Sequence, residues 1–331
     1  MTLYGGGYMD KSGFKSLYER NKQMTEYEEA VNFLLDLEVK FTDIDNIDTN
    51  KLDEIISYFV YKDLSSVKNF VILMRYYKLI KRNDLFVHLT RYTGMLDVVG
   101  NILIRLKRLV SEDLYKEILD NYEMPYLGLS PKKLPFYIED LMNRLNDNLS
   151  EDLVKKVLTG NNHGLSENSQ IAEKIAYENA LSLKDYLKDR HARKVQELET
   201  CFRENKVWFE QVITEDVIEY VKGNQEILSA VLKDDTLLIT KIPYDTSNYL
   251  NAENDTLKKY YGCHCPFARE AIIDKSSDID EKFCYCSAGF AKFPFEVILG
   301  QKLPIKVIES ILGGSDICRF EIDLKDVKYK K

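Results

Sequence analysis

From Thr25 to Leu158 apolar residues recur three and four positions apart behind polar starts, and this spacing restricts the first half of the chain to helices. Thr25-Glu26-Tyr27-Glu28 reads as a capping box ahead of Ala30, Phe33, Leu34 and Leu37 on one face. Leu52, Ile55, Ile56, Phe59 and Val60 form a second stripe. Asp63 to Ser66 precede a third, made of Val67, Phe70, Val71, Met74 and Tyr77. Similar segments follow over 96–110, 111–122, 131–145 and 150–158, punctuated by Gly94, Met124-Pro125, Gly128 and the run Gly160 to Gly164. Alternating β-branched runs are scarce before residue 230. The pattern predicts an irregular helical bundle or stacked helical hairpins over residues 1–160.

The second half changes character. Ser182-x-x-Asp185 opens a long helix with Leu183, Leu187, His191, Val195, Leu198 and Phe202 on one seam. On that seam His191 is expected as a hydrogen-bonded core group remote from the cysteines. Thr214 caps a shorter helix. After Asp234-Asp235 the run TLLITKIPY alternates as a strand ended by Pro243, and LPIKVIES and DICRFEIDL around Gly313-Gly314 read as a hairpin. Pro266 suits the first turn of a helix, and Pro294 is expected to limit the one before it. The fold class is therefore α+β: a mostly helical region, 1–160, followed by a smaller α+β domain, 161–331, ending in an antiparallel hairpin.

Four of the six cysteines stand in this second half as two Cys-x-Cys pairs, Cys263/Cys265 and Cys284/Cys286, with eighteen residues between the pairs. Thiolates are soft ligands, and four of them, or three with an imidazole, suit a tetrahedral zinc or an iron–sulfur cluster. On an extended segment alternate residues point the same way, so each pair could present both sulfurs to one centre. Cys263, Cys265, Cys284, Cys286 and Cys318 are the candidate ligands, with His264 as a sixth; a tetrahedral site takes only four. Against this stands the reading of cysteine as a small buried hydrophobe. Lys241, Tyr244, Arg269 and Arg319 are candidates for holding the carboxylate of a small molecule, since arginine offers a planar fork. A concave pocket is expected between the segments 241–244, 263–269 and 284–290. His163, in the loop Gly160-Asn161-Asn162-His163-Gly164, reads first as part of a polar turn.

The chain carries 46 Lys and Arg against 54 Asp and Glu, a net charge of −8, which argues against a general nucleic-acid binder. No apolar run approaches the ~20 residues of a membrane span. The N-terminus shows no apolar signal region, so a cytoplasmic setting with reduced thiols is expected. A homo-oligomer is left open.

From about Gly160 to Lys328 the chain resembles a family of uncharacterised bacterial cytosolic proteins. The segments carrying the resemblance are RHARKVQELE, WFEQVIT, NQEILSAV, TKIPYDT, YYGCHCPFAREAI, FCYCSAGFAKFPFEVI and CRFEIDL. The last part, from CYCSAGF through SDICRFEI, is also similar to the C-terminal half of 4-vinyl-reductase-type domains and to the thiazoline-carboxylate hydrolase family. The 4-vinyl-reductase resemblance implies zinc ligands at Cys284 or Cys286, at the end of the first hairpin strand, and at Cys318. The middle position is Ser310 in this chain, and Cys263 or Cys265 would then supply the missing thiolate. Together these readings lead to a zinc-binding, small-molecule-binding or sensor-type protein. The alternatives are a hydrolase of a small amide or thiazoline-ring carboxylate, and a thiol or iron–sulfur redox protein.

Overall fold

A computed structural model describes residues 11–94 and 97–331. The chain divides into two compact units, one running to Gly94 and including Tyr126–Ser130, the other holding Met95–Pro125 and Pro131–Lys331.

The first unit is built from the helices Lys11–Arg20, Tyr27–Phe41, Thr49–Tyr61, Val67–Leu79 and Asn83–Thr93. Their stripes meet in one core that includes Leu34, Leu52, Ile56, Phe59, Phe70, Leu73 and Leu89. Asp48 and Ser66 cap their helices by accepting the amides of Lys51 and Asn69. Thr25 does not cap. It lies in a 3-10 turn, Met24–Glu26, whose Glu26 amide bonds to the Gln23 carbonyl, and the helix begins at Tyr27 without a side-chain cap. The segment Tyr126–Ser130 returns to this unit because Gly128 takes a positive φ of 86° where a side chain would meet Ser65 and Val60. Ser65 Oγ seals the contact by donating to the Leu127 carbonyl at 2.6 Å.

In the second unit the helices Val98–Leu109, Leu134–Asn148 and Glu151–Leu158 belong with the sheet, whereas the sequence grouped them with the helices before residue 94. The reason lies in the run Gly160 to Gly164, which is a packed turn and not a linker. Asn101 Nδ2 donates to the Asn162 carbonyl at 2.9 Å, and Asn162 Nδ2 to the Leu158 carbonyl at 2.6 Å. Further on, Asn146 Nδ2 reaches Asp280 at 2.8 Å and Ser277 Oγ reaches Glu139 at 2.7 Å.

A short hairpin, β1 (Val207–Trp208) with β2 (Gln211–Val212), follows the long helix Leu183–Arg203. The main sheet has β3 (Val231–Lys233), β4 (Thr236–Thr240), β5 (Ile305–Glu309) and β6 (Arg319–Asp323), all antiparallel in the order β3-β4-β6-β5. Thr240 pairs with Arg319 and Leu237 with Ile322. The expected strand and the expected C-terminal hairpin are both present, so the fold is a mostly helical α+β arrangement ending in a hairpin. Leu237, Ile239, Phe320 and Ile322 are buried in one core with Phe295 and Ile298 of the helix Cys284–Leu299. That helix runs through Pro294. Proline removes one backbone hydrogen bond from a helix interior; buried Phe293, Phe295 and Ile298 on either side of it anchor the turn. Among the described residues no helix is long and apolar enough to cross a membrane.

Candidate functional site

Five of the six cysteines gather where three separate segments meet at one end of the sheet; Cys201 packs elsewhere, against the core of Val195 and Leu198. Cys263 closes the helix Asp255–Gly262, its amide bonding to the Lys259 carbonyl at 3.0 Å. Cys265 turns the chain, its carbonyl accepting the amides of Ala268 and Arg269, so the next helix begins at Arg269 and not at Pro266. Cys284 and Cys286 stand in the first turn of the helix Cys284–Leu299. Cys318 lies just before β6, and its carbonyl accepts the Lys241 amide at 2.9 Å.

The second pair does not behave as an extended Cys-x-Cys would. Residues two apart on a helix face different ways, and the two sulfurs take different nearest partners although both act on Cys265. The Cys284 thiol lies beside Ser310, with Cys318 and Cys263 near enough for their charges to act on it. The Cys286 thiol faces the Gly160 turn instead, with His163 Nε2 at 3.7 Å and Asn162 Nδ2 at 3.9 Å. Gly289, one turn along, makes this approach achievable: a Cβ there would collide with the Gly160 carbonyl oxygen.

Burial dominates the ionisation of every thiol here. It pushes Cys263 up to about 11, and the nearby Cys318 adds to the effect. Burial raises Cys265 well above the usual thiol range, helped by Cys263, Cys286 and Cys284. Burial also raises Cys284, Cys318, and Cys286, the last to about 11. These are neutral thiols at pH 7 in the absence of a cation, and Cys263 and Cys318 share the apolar core of the sheet. Among the described residues no three His, Cys, Asp or Glu side chains stand ready as a group that could hold a metal ion.

His264, between the first two thiols, commits its Nε2–H to the Ile242 carbonyl at 2.5 Å. Burial and then Lys241 hold its imidazole neutral, well below the ordinary range. Only Nδ1 could therefore ligate.

Lys241, immediately after β4, is the charge common to the whole region. Its Nζ donates to Ser287 Oγ at 2.8 Å and lies 5.3 Å from the centre of the Phe290 ring. Its field reaches Glu210, His163, His264, Cys263, Cys286 and Cys318. Tyr244 sets its ring edge-on to His264 at 5.7 Å and receives the Arg269 guanidinium on its face at 3.7 Å. Arg269 is 3 % exposed, and its Nε and Nη1 have no hydrogen-bond partner. Arg319 is engaged elsewhere, held by Glu226 through bonds of 2.7 and 2.6 Å. As a free hand for a small molecule it is therefore corrected.

The segments 241–244, 263–269 and 284–290 do meet, through the Lys241–Ser287 and His264–Ile242 bonds. Two cavities, of about 430 and 420 Å³, lie elsewhere, one beside Tyr177, Gly300 and Tyr329 and the other in the first unit beside Tyr18 and Arg75, so neither is the pocket expected between these segments. His163 and Glu210 are members of the region that reasoning from sequence did not select. The glycines flanking His163 were a usable signal, since they permit a close turn; Glu210, in the two-residue turn between β1 and β2, carried none.

No protein-family model matches the chain, and neither a curated protein nor a solved structure matches it.

Proposed function

We propose that the protein binds zinc through the thiolates of Cys263, Cys265, Cys284 and Cys318 and works as a small-molecule-binding or sensor-type protein. One observation carries this reading: three separate stretches of chain bring these four thiols into one region, Cys263 and Cys318 buried and Cys265 and Cys284 half-buried, near enough that Cys318 acts on Cys263 and on Cys284 and that Cys263 and Cys284 act on Cys265. Zinc answers the physical difficulty of that region. A soft divalent cation deprotonates thiols and stabilises the resulting thiolates, so the burial that keeps them protonated becomes the medium that strengthens the bonds. The side chains have to turn to bring sulfur to ~2.3 Å from the metal. Cys286, although it acts on Cys265, is left out because its thiol is engaged by His163 and Asn162. With four protein ligands the metal is structural, tying the chain before β6 to the Cys263 and Cys284 segments.

The test is elemental analysis of protein purified without chelator. About one zinc per chain supports the reading. Iron with a brown colour in protein prepared without oxygen would replace it by the iron–sulfur alternative. Absence of metal, with every cysteine titrating freely, would remove it.

A further inference from the structure

Arg269, 3 % exposed, is the one lysine or arginine that is buried among the described residues. Two tyrosine rings flank it: the guanidinium lies 3.7 Å from the centre of the Tyr244 ring and 5.7 Å from that of Tyr260. Stacking covers the faces of a guanidinium and leaves its N–H groups along the edge. There Nε and Nη1 have no hydrogen-bond partner. The acids of the region do not take them. Glu270 accepts the Tyr260 hydroxyl at 3.2 Å, and Glu210 feels the guanidinium without bonding to either nitrogen. A buried cation with unmade hydrogen bonds is costly, and an anion at its edge removes that cost.

The backbone ties this cation to the thiols. The Arg269 amide donates to the Cys265 carbonyl at 3.0 Å. Tyr244, which carries the guanidinium on its face, has its own amide on the Gly262 carbonyl at 3.4 Å and its ring edge-on to His264 at 5.7 Å. The guanidinium is thus held beside the run Gly262 to Cys265, and Cys263 lies within its field. Thiols without a metal are neutral at pH 7 and offer the cation no counter-charge. Four thiolates on a divalent metal carry a net charge of minus two.

We propose that Arg269 is the counter-cation of the metal–thiolate centre: it ligates nothing, and its charge favours the metal-loaded state over the metal-free one. The inference rests on the zinc reading above and adds the outer partner that such ligands require. Its consequence is a change of sign. In metal-free protein the guanidinium is an unpaired buried charge, and removing it relieves the fold. In loaded protein the same removal leaves the thiolates less compensated. Lys241, whose field reaches Cys263 and Cys318, is present in both cases and does not alter the comparison.

Zinc is the probe, titrated into the full chain after removal of metal, in competition with a chelating dye of known affinity. Urea midpoints are measured with zinc and with chelator. Arg269→Met is uncharged and can still lie on Tyr244. It should weaken zinc by about tenfold to a hundredfold, the range for outer partners of metal ligands. In chelator it should unfold at the wild-type midpoint or above it. Arg269→Lys keeps the charge and should lose less zinc affinity than Arg269→Met. Unchanged zinc affinity in Arg269→Met, or a midpoint lowered equally with zinc and with chelator, would overturn the proposal and leave the zinc reading standing, since Arg269 would then only pack. No zinc bound by the wild type would overturn the zinc reading and this inference with it. Where Arg269→Met does not fold, Arg269→Lys decides: zinc weakened by about tenfold or more counts against a role for the charge, and a smaller loss supports it.

Discussion

Gly289 packs its bare Cα against the carbonyl oxygen of Gly160, and on this contact depends the approach of His163 Nε2 to within 3.7 Å of Cys286 Sγ. A methyl group at 289 has backbone for a neighbour, with no flexible side chain to move aside. Gly289→Ala should therefore cost about 1–3 kcal/mol, the range for overpacking. Urea denaturation measures it, and an unchanged midpoint would show that the turn does not rest on the helix as described.

The divergence of Cys284 and Cys286 makes a sharper test of the thiol centre than removal of both. Cys284 lies with Ser310 and Cys318, and Cys286 with His163 and Asn162. Zinc content should fall in Cys284→Ser and stay at about one per chain in Cys286→Ser. Equal loss in the two variants would mean that the helix start rearranges when metal binds.

Arg319 should matter for stability. Its guanidinium makes two parallel bonds to Glu226, a fork that an ammonium cannot reproduce. Arg319→Lys is expected to destabilise the sheet by about 1 kcal/mol, read from the urea midpoint. An unchanged midpoint would show that the fork on Glu226 does not help to hold the sheet.

Glu173 gives the chain an acid-sensitive joint. Burial opposes its ionisation, but the Arg193 and Tyr186 hydrogen bonds, together with Arg190, outweigh that and lower its pKa to about 2. A carboxylate depressed in the folded state contributes stability that is complete above its unfolded pKa, about 4.5. That contribution declines as pH falls from about 4.5 toward 2. Glu173→Gln should flatten the stability profile in this window; an identical profile in both proteins would show that other carboxylates control it.

Sequence alone reached what local chemistry governs. Ser66, Ser182 and Thr214 each accept the amide three residues on, as their positions foretold. His191, on its apolar seam, donates Nε2–H to the Val221 carbonyl at 2.9 Å and is half-buried, more exposed than that seam implied. Thr25 failed as a cap because a 3-10 turn claims the backbone there. These signals are legible because a cap or a stripe depends on residues within about one helical turn of each other.

The candidate site depends on the opposite kind of information. Cys-x-Cys states only that two thiols are two residues apart. Whether they face one centre depends on the backbone between them, extended at one pair's expected geometry and helical at Cys284–Cys286 in the fold. The sequence likewise supplied Lys241 and His163 without any sign that Phe290 packs against both. Helix formation and capping are decided by bonds between near neighbours, so the chain carries them in its spelling. Which thiols share a volume, and which of them turns away to meet His163, follow from contacts between segments remote in sequence, such as Lys241 with Ser287 and Cys286 with His163, and only packing of the whole unit decides those.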